Sequence, residues 1–221
     1  MENLSERLKA IYKMVPKGVA ADIGADHGKL MIALYEGGIV SHGYAVENKK
    51  GPYNRLVKAL TAKGIEDEIV PLFSDGIKDL PPTVHTAIIA GMGGNLIIDI
   101  LKKYPAKTKQ LETVIVDAHT AIPKVREEVC KLGFVIAQEQ MVREDNIFYE
   151  IIKFVRADIA FYGENDIEFG PILRSEKSAT FKEKYQNRIK EINKLLATKD
   201  LPKARVEQLN KEKERIENIL C

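Results

Sequence analysis

Val19-Ala20-Ala21-Asp22-Ile23-Gly24-Ala25-Asp26-His27-Gly28-Lys29-Leu30 decides how the chain is read, because a short apolar run ends in an acid and two glycines and then opens a helix. A strand-to-helix turn of this kind lets backbone N–H groups approach a ligand without Cβ interference, and it places the positive end of a helix beside it. The spacing Gly24-x-x-x-Gly28 is not the G-x-G-x-x-G of dinucleotide enzymes. That lowers the case for NAD or FAD and leaves other adenosyl ligands open.

Working outward, Gly43-Tyr44-Ala45-Val46-Glu47 reads as a second strand ending in a carboxylate about 20 residues on, where such folds hold ribose hydroxyls. A third strand, Glu68 to Phe73, runs into Ser74-Asp75-Gly76, so a further acid stands ready to accept from an exocyclic adenine amine. Three strand-end acids in succession, Asp22, Glu47 and Asp75, suit S-adenosylmethionine. Each also fits a structural role: Asp22 as a turn brace, Glu47 as a helix cap, Asp75-Gly76 as an ordinary turn pair.

Strands are expected near Gly18–Ile23, Gly43–Glu47, Glu68–Phe73, His85–Ala90 and Thr113–Asp117, with helices near His27–Glu36, Pro52–Lys63, Asn95–Tyr104 and Pro123–Leu132. An amphipathic helix carrying Leu4, Leu8, Ile11 and Tyr12 precedes them. Alternation of this kind predicts right-handed βαβ crossovers and a parallel α/β sheet covered on both faces. After Gly133, strands over Phe134–Val142 and Phe148–Phe154 flank the polar turn Arg143-Glu144-Asp145-Asn146, an antiparallel hairpin. The expected fold is therefore a Rossmann-like, mostly parallel sheet of the class I methyltransferase type. From Asp158, Gly163, Asn165, Gly170 and Pro171 read as a linker, followed by two helices forming an antiparallel hairpin. Their stripes are Phe181, Tyr185, Arg188 or Ile189, Ile192, Leu195 and Leu196, then Val206, Leu209, Ile216 and Leu220, and Thr198 to Pro202 is the turn, with Asp200 available as a cap.

With 221 residues, 45% hydrophobic and 30% charged, the chain can bury a sizeable core as one main domain plus an appendage. The opening Met1-Glu2-Asn3-Leu4-Ser5-Glu6-Arg7 lacks the pattern of a secretory leader, and the longest uncharged stretch, Val84 to Ile98, is too short and too polar to span a bilayer, so a cytoplasmic, soluble protein is expected. Cys130 and Cys221 make neither a disulfide framework nor a metal site, and no metal is expected. A net charge of +2 is too small to announce a nucleic-acid partner, but residues 172–215 hold 13 Lys/Arg against seven Asp/Glu. That local excess suits phosphates, and it equally suits a solvated helical hairpin laced with ion pairs.

Taken together, these motifs resemble the bacterial tRNA (adenine(22)-N(1))-methyltransferases, the TrmK family, over nearly the whole chain. Asp22-Ile23-Gly24-Ala25-Asp26-His27 is similar to that family's D-I-G-S-D-H, and Val46-Glu47 with Gly51-Pro52-Tyr53 is similar to its acid and G-P-[FY] pair. Ser74-Asp75-Gly76 is similar to its G-D-G, and Ile89-Ala90-Gly91-Met92-Gly93-Gly94 is close to identical with its A-G-M-G-G. Val125-Arg126, Gly133-Phe134, Phe148-Tyr149-Glu150-Ile151 and Phe169-Gly170-Pro171-Ile172-Leu173 keep their places. One loop departs: Asp117-Ala118-His119-Thr120 stands where many members carry Q-P-N.

The resemblance implies methyl transfer from S-adenosylmethionine to N1 of adenine 22 in tRNA. It implies a cofactor site built from Asp22, Gly24, His27, Glu47, Asp75, Gly76, Gly91, Met92 and Gly93, with Asp26 and Asp117 as catalytic carboxylates beside the target amine. Residues 1–157 would be the S-adenosylmethionine-dependent methyltransferase domain and 158–221 a tRNA-binding helical hairpin, gripping RNA through Lys182, Lys184, Arg188 and Lys190. Two alternatives stay open: the same fold acting on another RNA site or a small molecule, and a non-catalytic S-adenosylmethionine- or RNA-binding module. The sequence leaves the oligomeric state open between monomer and weak dimer.

Overall fold

A computed structural model describes residues 4–158, 160–198 and 201–221. Its elements run α1 (Glu6–Met14), β1 (Val19–Ile23), α2 (Lys29–Glu36), β2 (His42–Glu47), α3 (Lys50–Lys63), β3 (Ile69–Phe73), β4 (Thr86–Met92), α4 (Gly94–Lys103), α5 (Pro105–Gln110), β5 (Thr113–Ala118), α6 (Ile122–Lys131), β6 (Phe134–Glu144), β7 (Ile147–Arg156), α7 (Glu164–Phe169), α8 (Pro171–Glu176), α9 (Ala179–Leu196) and α10 (Lys203–Leu220). The readings that fall on Met1–Asn3, Lys199 and Asp200, including the Asp200 cap, lie outside the described residues.

Seven strands form one sheet in the order β3-β2-β1-β4-β5-β7-β6. Every pairing is parallel except the two that involve β7. The central strands are buried on both faces: Ile88, Ile89, Val114, Ile115 and Val116 have no exposed surface, because crossover helices cover each side. One core, with Ile89, Ile97, Leu101, Val116 and Val125, packs α4 and α6 on one face. The other, with Ile11, Met31, Leu34, Leu56 and Leu60, packs α1, α2 and α3 on the opposite face. Strand order reverses between β1 and β4, which opens a crevice at their carboxyl ends.

The β6–β7 hairpin is tighter and longer than the expected four-residue turn allowed. Asp145 and Asn146 both take left-handed φ values (49° and 64°), so a two-residue turn closes strands that extend to Glu144 and from Ile147. Another departure concerns the stretch read as a linker, which contains α7 and α8. The Gly163 N–H donates to the Asp166 carboxylate at 3.0 Å to start α7, and Gly170 (φ 83°) followed by Pro171 makes a sharp break before α8. The Glu139 carboxylate from β6 then accepts from the first-turn N–H groups of Ile172 and Leu173. Local glycines thus mark helix ends here, not free chain. The helix α5 was likewise unforeseen; Pro105 occupies its first turn.

Helices α9 and α10 run in opposite senses, with Arg188 joined to Glu212 across them, and they bury Phe181, Tyr185, Ile192, Leu209, Ile216 and Ile219 together with Met141 of β6. The hairpin therefore sits on the sheet's β6–β7 end. Leu195, expected on the apolar stripe, faces outward.

Candidate active site at the carboxyl edge of the sheet

At the crevice, the loop after β1 turns on Gly24 (φ 81°), where a Cβ would collide with the Met92 Cε. Gly24, Glu47, Asp75, Gly76 and Met92 line one cavity of about 330 Å³, whose apolar walls include Val46, Pro52, Leu96 and Ile100. Gly76 (φ 58°) stands against Ile100, with only 2.9 Å from its would-be Cβ to Cγ2, so a side chain there would press on that wall. The ends of β1, β2, β3 and β4 thus bring five of the residues that sequence spacing selected to one cavity.

The acids differ in their surroundings. Asp22 is buried, and its carboxyl is pushed up to about 7, first by burial and then by the Glu47 charge, with the Arg7 charge opposing. Glu47 Oε1 accepts the Asp26 N–H at 2.7 Å and so stiffens the turn. Asp75 Oδ2 accepts from Lys103 Nζ at 2.6 Å and Tyr104 OH at 3.0 Å; those hydrogen bonds, Lys103 first, hold its carboxyl below the ordinary range.

Asp26 takes a left-handed φ of 45°, a conformation that aspartate tolerates better than most side chains. Its exposed carboxylate pairs with Arg55 at 2.8 Å and stands 3.6 Å from His27 Nε2. Asp26 and His27 lie outside the lining of the 330 Å³ cavity, as do Asp22, Gly91, Gly93 and Asp117. Gly91 (φ 75°) is the residue skipped by the β4–β5 register, a bulge at the strand end, and Gly93 precedes α4.

Asp117, at the end of β5, has no exposed surface and pairs with Arg7 NH1 at 2.8 Å. Arg7 comes from α1, 110 residues away in sequence, and no local motif marked it. Its guanidinium also lies 3.3 Å from His119 Nε2 and 5.2 Å from the centre of the Tyr149 ring. Arg7, Arg55 and Lys103 are the site cations that sequence reasoning missed.

A larger groove, of about 810 Å³, begins at His119 and Thr120 and continues between β7 and the helices α9 and α10. Its charges are mixed: Lys184 pairs with Glu150, and Arg188 with both Glu212 and Glu191. Two of the four basic residues expected to grip RNA are thus engaged within the protein. Lys182 and Lys190 are exposed and make no ion pair among the described residues. Cys130 is half-buried, with its thiol pushed up to about 11, chiefly by burial, and Cys221 is exposed. Among the described residues there is no cluster of His, Cys, Asp and Glu able to hold a metal, and no helix is long and apolar enough to cross a membrane.

The family model described as a methyltransferase domain matches residues 4–152. The chain is 29% identical over 195 residues to the tRNA (adenine(22)-N(1))-methyltransferase of Bacillus subtilis (strain 168), covering 82% of this chain and 79% of that protein. Its structure is similar to that of a candidate tRNA (m1A22) methyltransferase of Streptococcus pneumoniae, with a TM-score of 0.93, 29% identity and coverage of 99% and 100% of the two chains. A second structure of that protein, in complex with S-adenosyl-L-methionine, matches with a TM-score of 0.90 at 29% identity over 99% and 100% of the chains.

Proposed function

The chain belongs to the methyltransferase-domain family, and from that premise we propose that it transfers a methyl group from S-adenosylmethionine to N1 of adenine 22 in tRNA. The observation that carries this reading is the convergence of Gly24, Glu47 and Asp75 on one cavity at the strand-order reversal. The likeness to the Bacillus subtilis and Streptococcus pneumoniae proteins supplies the substrate.

The residues present fit the cofactor. The missing Cβ at Gly24 lets Met92 pack against the turn on the cavity wall, Leu96 and Ile100 offer apolar faces to a purine, and the acids suit a cationic donor. When bound, S-adenosylmethionine supplies a methyl carbon activated by a sulfonium. Glu47 Oε1 is committed to the Asp26 N–H and Asp75 Oδ2 to Lys103 and Tyr104, so their second oxygens are the acceptors for the ribose hydroxyls and the adenine amine. Asp22 and His27 flank the cofactor at the start of the turn. Gly91, Met92 and Gly93 shape the opening between cofactor and target, and Asp26 and Asp117 are the carboxylates for the target base. Adenine N1 has its own lone pair, so the chain's task is alignment, with little need of a strong base.

In this reading residues 1–157 perform the transfer in the cytoplasm and 158–221 grip the tRNA, with Lys182 and Lys190 toward phosphate. The target's Watson–Crick edge must be unpaired first, which requires a hold on RNA outside the pocket. The test is methylation of an unmodified tRNA transcript with labelled S-adenosylmethionine, followed by nuclease digestion and mass spectrometry. N1-methyladenine at position 22 is expected. Cofactor binding without methyl transfer to any tRNA would overturn the reading.

A further inference from the structure

Strand β5 ends in a carboxylate that is only half satisfied. Asp117 Oδ2 accepts from Arg7, whereas Oδ1 is buried and has no hydrogen-bond partner among the described residues. An unpaired buried acceptor is unfavourable, more so when charged, so its presence points to a donor that the free chain does not contain.

Four elements converge on this oxygen's surroundings. Arg7 reaches in from α1, passes over the Gly91 bulge, where a Cβ would stand 3.4 Å from NH1, and lies against the Tyr149 ring of β7. His119, exposed and 5.9 Å from the Tyr149 ring centre, separates the pair from the larger groove. The Gly91 backbone also bears on the Asp117 carboxylate, together with the Arg7 and His119 charges. By contrast, the Asp26 carboxylate is exposed and already neutralised by Arg55.

We propose that Arg7 is a positioning residue that binds one oxygen of Asp117 and leaves the other, Oδ1, to accept a hydrogen from the exocyclic amine of the target purine. The inference rests on the adenine-N1 reading above. Burial pushes the Asp117 carboxyl up, with the Arg7 and His119 charges opposing; in its ionised form it only accepts, so it rewards an amino group at C6 and rejects a carbonyl there. Bond formation at N1, with the electron pair of the broken S–C bond leaving on sulfur, spreads positive charge onto that amine. Asp117 then faces growing charge in the transition state, where a fixed anion is most effective. The N6 proton is lost to water after transfer.

The test compares tRNA transcripts carrying adenine or amine-free purine at position 22, read as the ratio of their kcat/KM values. Intrinsic ring reactivity cancels when the ratio is compared between wild type and variants. For Arg7→Ala and for Asp117→Asn the ratio should fall about 10- to 100-fold, the range of a hydrogen bond to a charged group. Arg7→Lys should restore part of it. Wild-type circular dichroism and a cooperative thermal melt in each variant certify an intact fold. A ratio unchanged in Arg7→Ala, with both substrates slowed alike, overturns the proposal and leaves the pair a structural brace over a buried water. Wild type that methylates no adenine at position 22 would instead remove the function reading, and this inference with it.

Discussion

Asp22 shows how far a single residue's chemistry can depart from its type. In the folded chain its carboxyl titrates near 7 rather than the ordinary 3.8, because burial and the adjacent Glu47 disfavour the anion. Between those two values the folded state keeps a proton that the unfolded state has released, so stability should fall as pH rises from about 4 to 7. Urea denaturation at pH 5 and pH 8 should show that loss in wild type and a flatter profile in Asp22→Asn. A bound cation favours the anion, so cofactor binding near pH 6.5 should release a proton. Calorimetry in two buffers of different ionisation enthalpy would detect the release, which Asp22→Asn should abolish.

Gly24 makes a second case. Alanine there keeps a left-handed φ at roughly 1–2 kcal/mol and drives the Met92 methyl toward the cavity. Gly24→Ala should weaken cofactor binding about tenfold or more. Adding Met92→Ala should recover binding without recovering stability, as read by titration and chemical denaturation side by side. Both residues were legible in sequence because a glycine or acid at a strand end is a local signal. Arg7 was not, since one arginine on an amphipathic helix looks like any solvated charge, and only tertiary packing brings it to Asp117.

Among the elements, the parallel strands and their crossover helices were readable because apolar runs and 3.6-residue periodicity are strong over such lengths. Short helices escaped: α7 and α8 have six residues each, and a distant side chain holds each, Arg126 on α7 beside its own Asp166 and Glu139 on α8. Fully buried Arg126 of α6 pairs with Glu139 of β6 at 2.8 Å and Glu150 of β7 at 2.5 Å, and it donates to the Ile167 carbonyl of α7 at 3.2 Å. Lys184 of α9 completes the set on Glu150. Removing the central cation strands buried acids, so Arg126→Met should lose about 3–5 kcal/mol in urea denaturation. Neutralising both acids as well, with Glu139→Gln and Glu150→Gln, should return much of that loss.

Across the molecule, the basic excess in 172–215 was visible in composition, but its availability was not. Lys184 and Arg188 are engaged by acids from β7, α9 and α10, so their replacement should lower stability as well as tRNA binding. Lys182→Glu with Lys190→Glu should instead weaken tRNA binding and flatten its salt dependence by about two units of slope, with the melting temperature held. Filter binding at several salt concentrations, alongside thermal melts, separates the two classes.

The antiparallel course of β7 has one more consequence. It carries the polypeptide down to the sheet's far edge at Arg156, and the return climbs β6 by successive holds: Tyr162 on Ile136, Glu139 on α8, Arg143 on Glu183. Phe161, one residue before the first of these holds, is almost fully exposed between two clasped halves. Limited proteolysis there should yield a nicked protein whose fragments co-elute until denaturant is added.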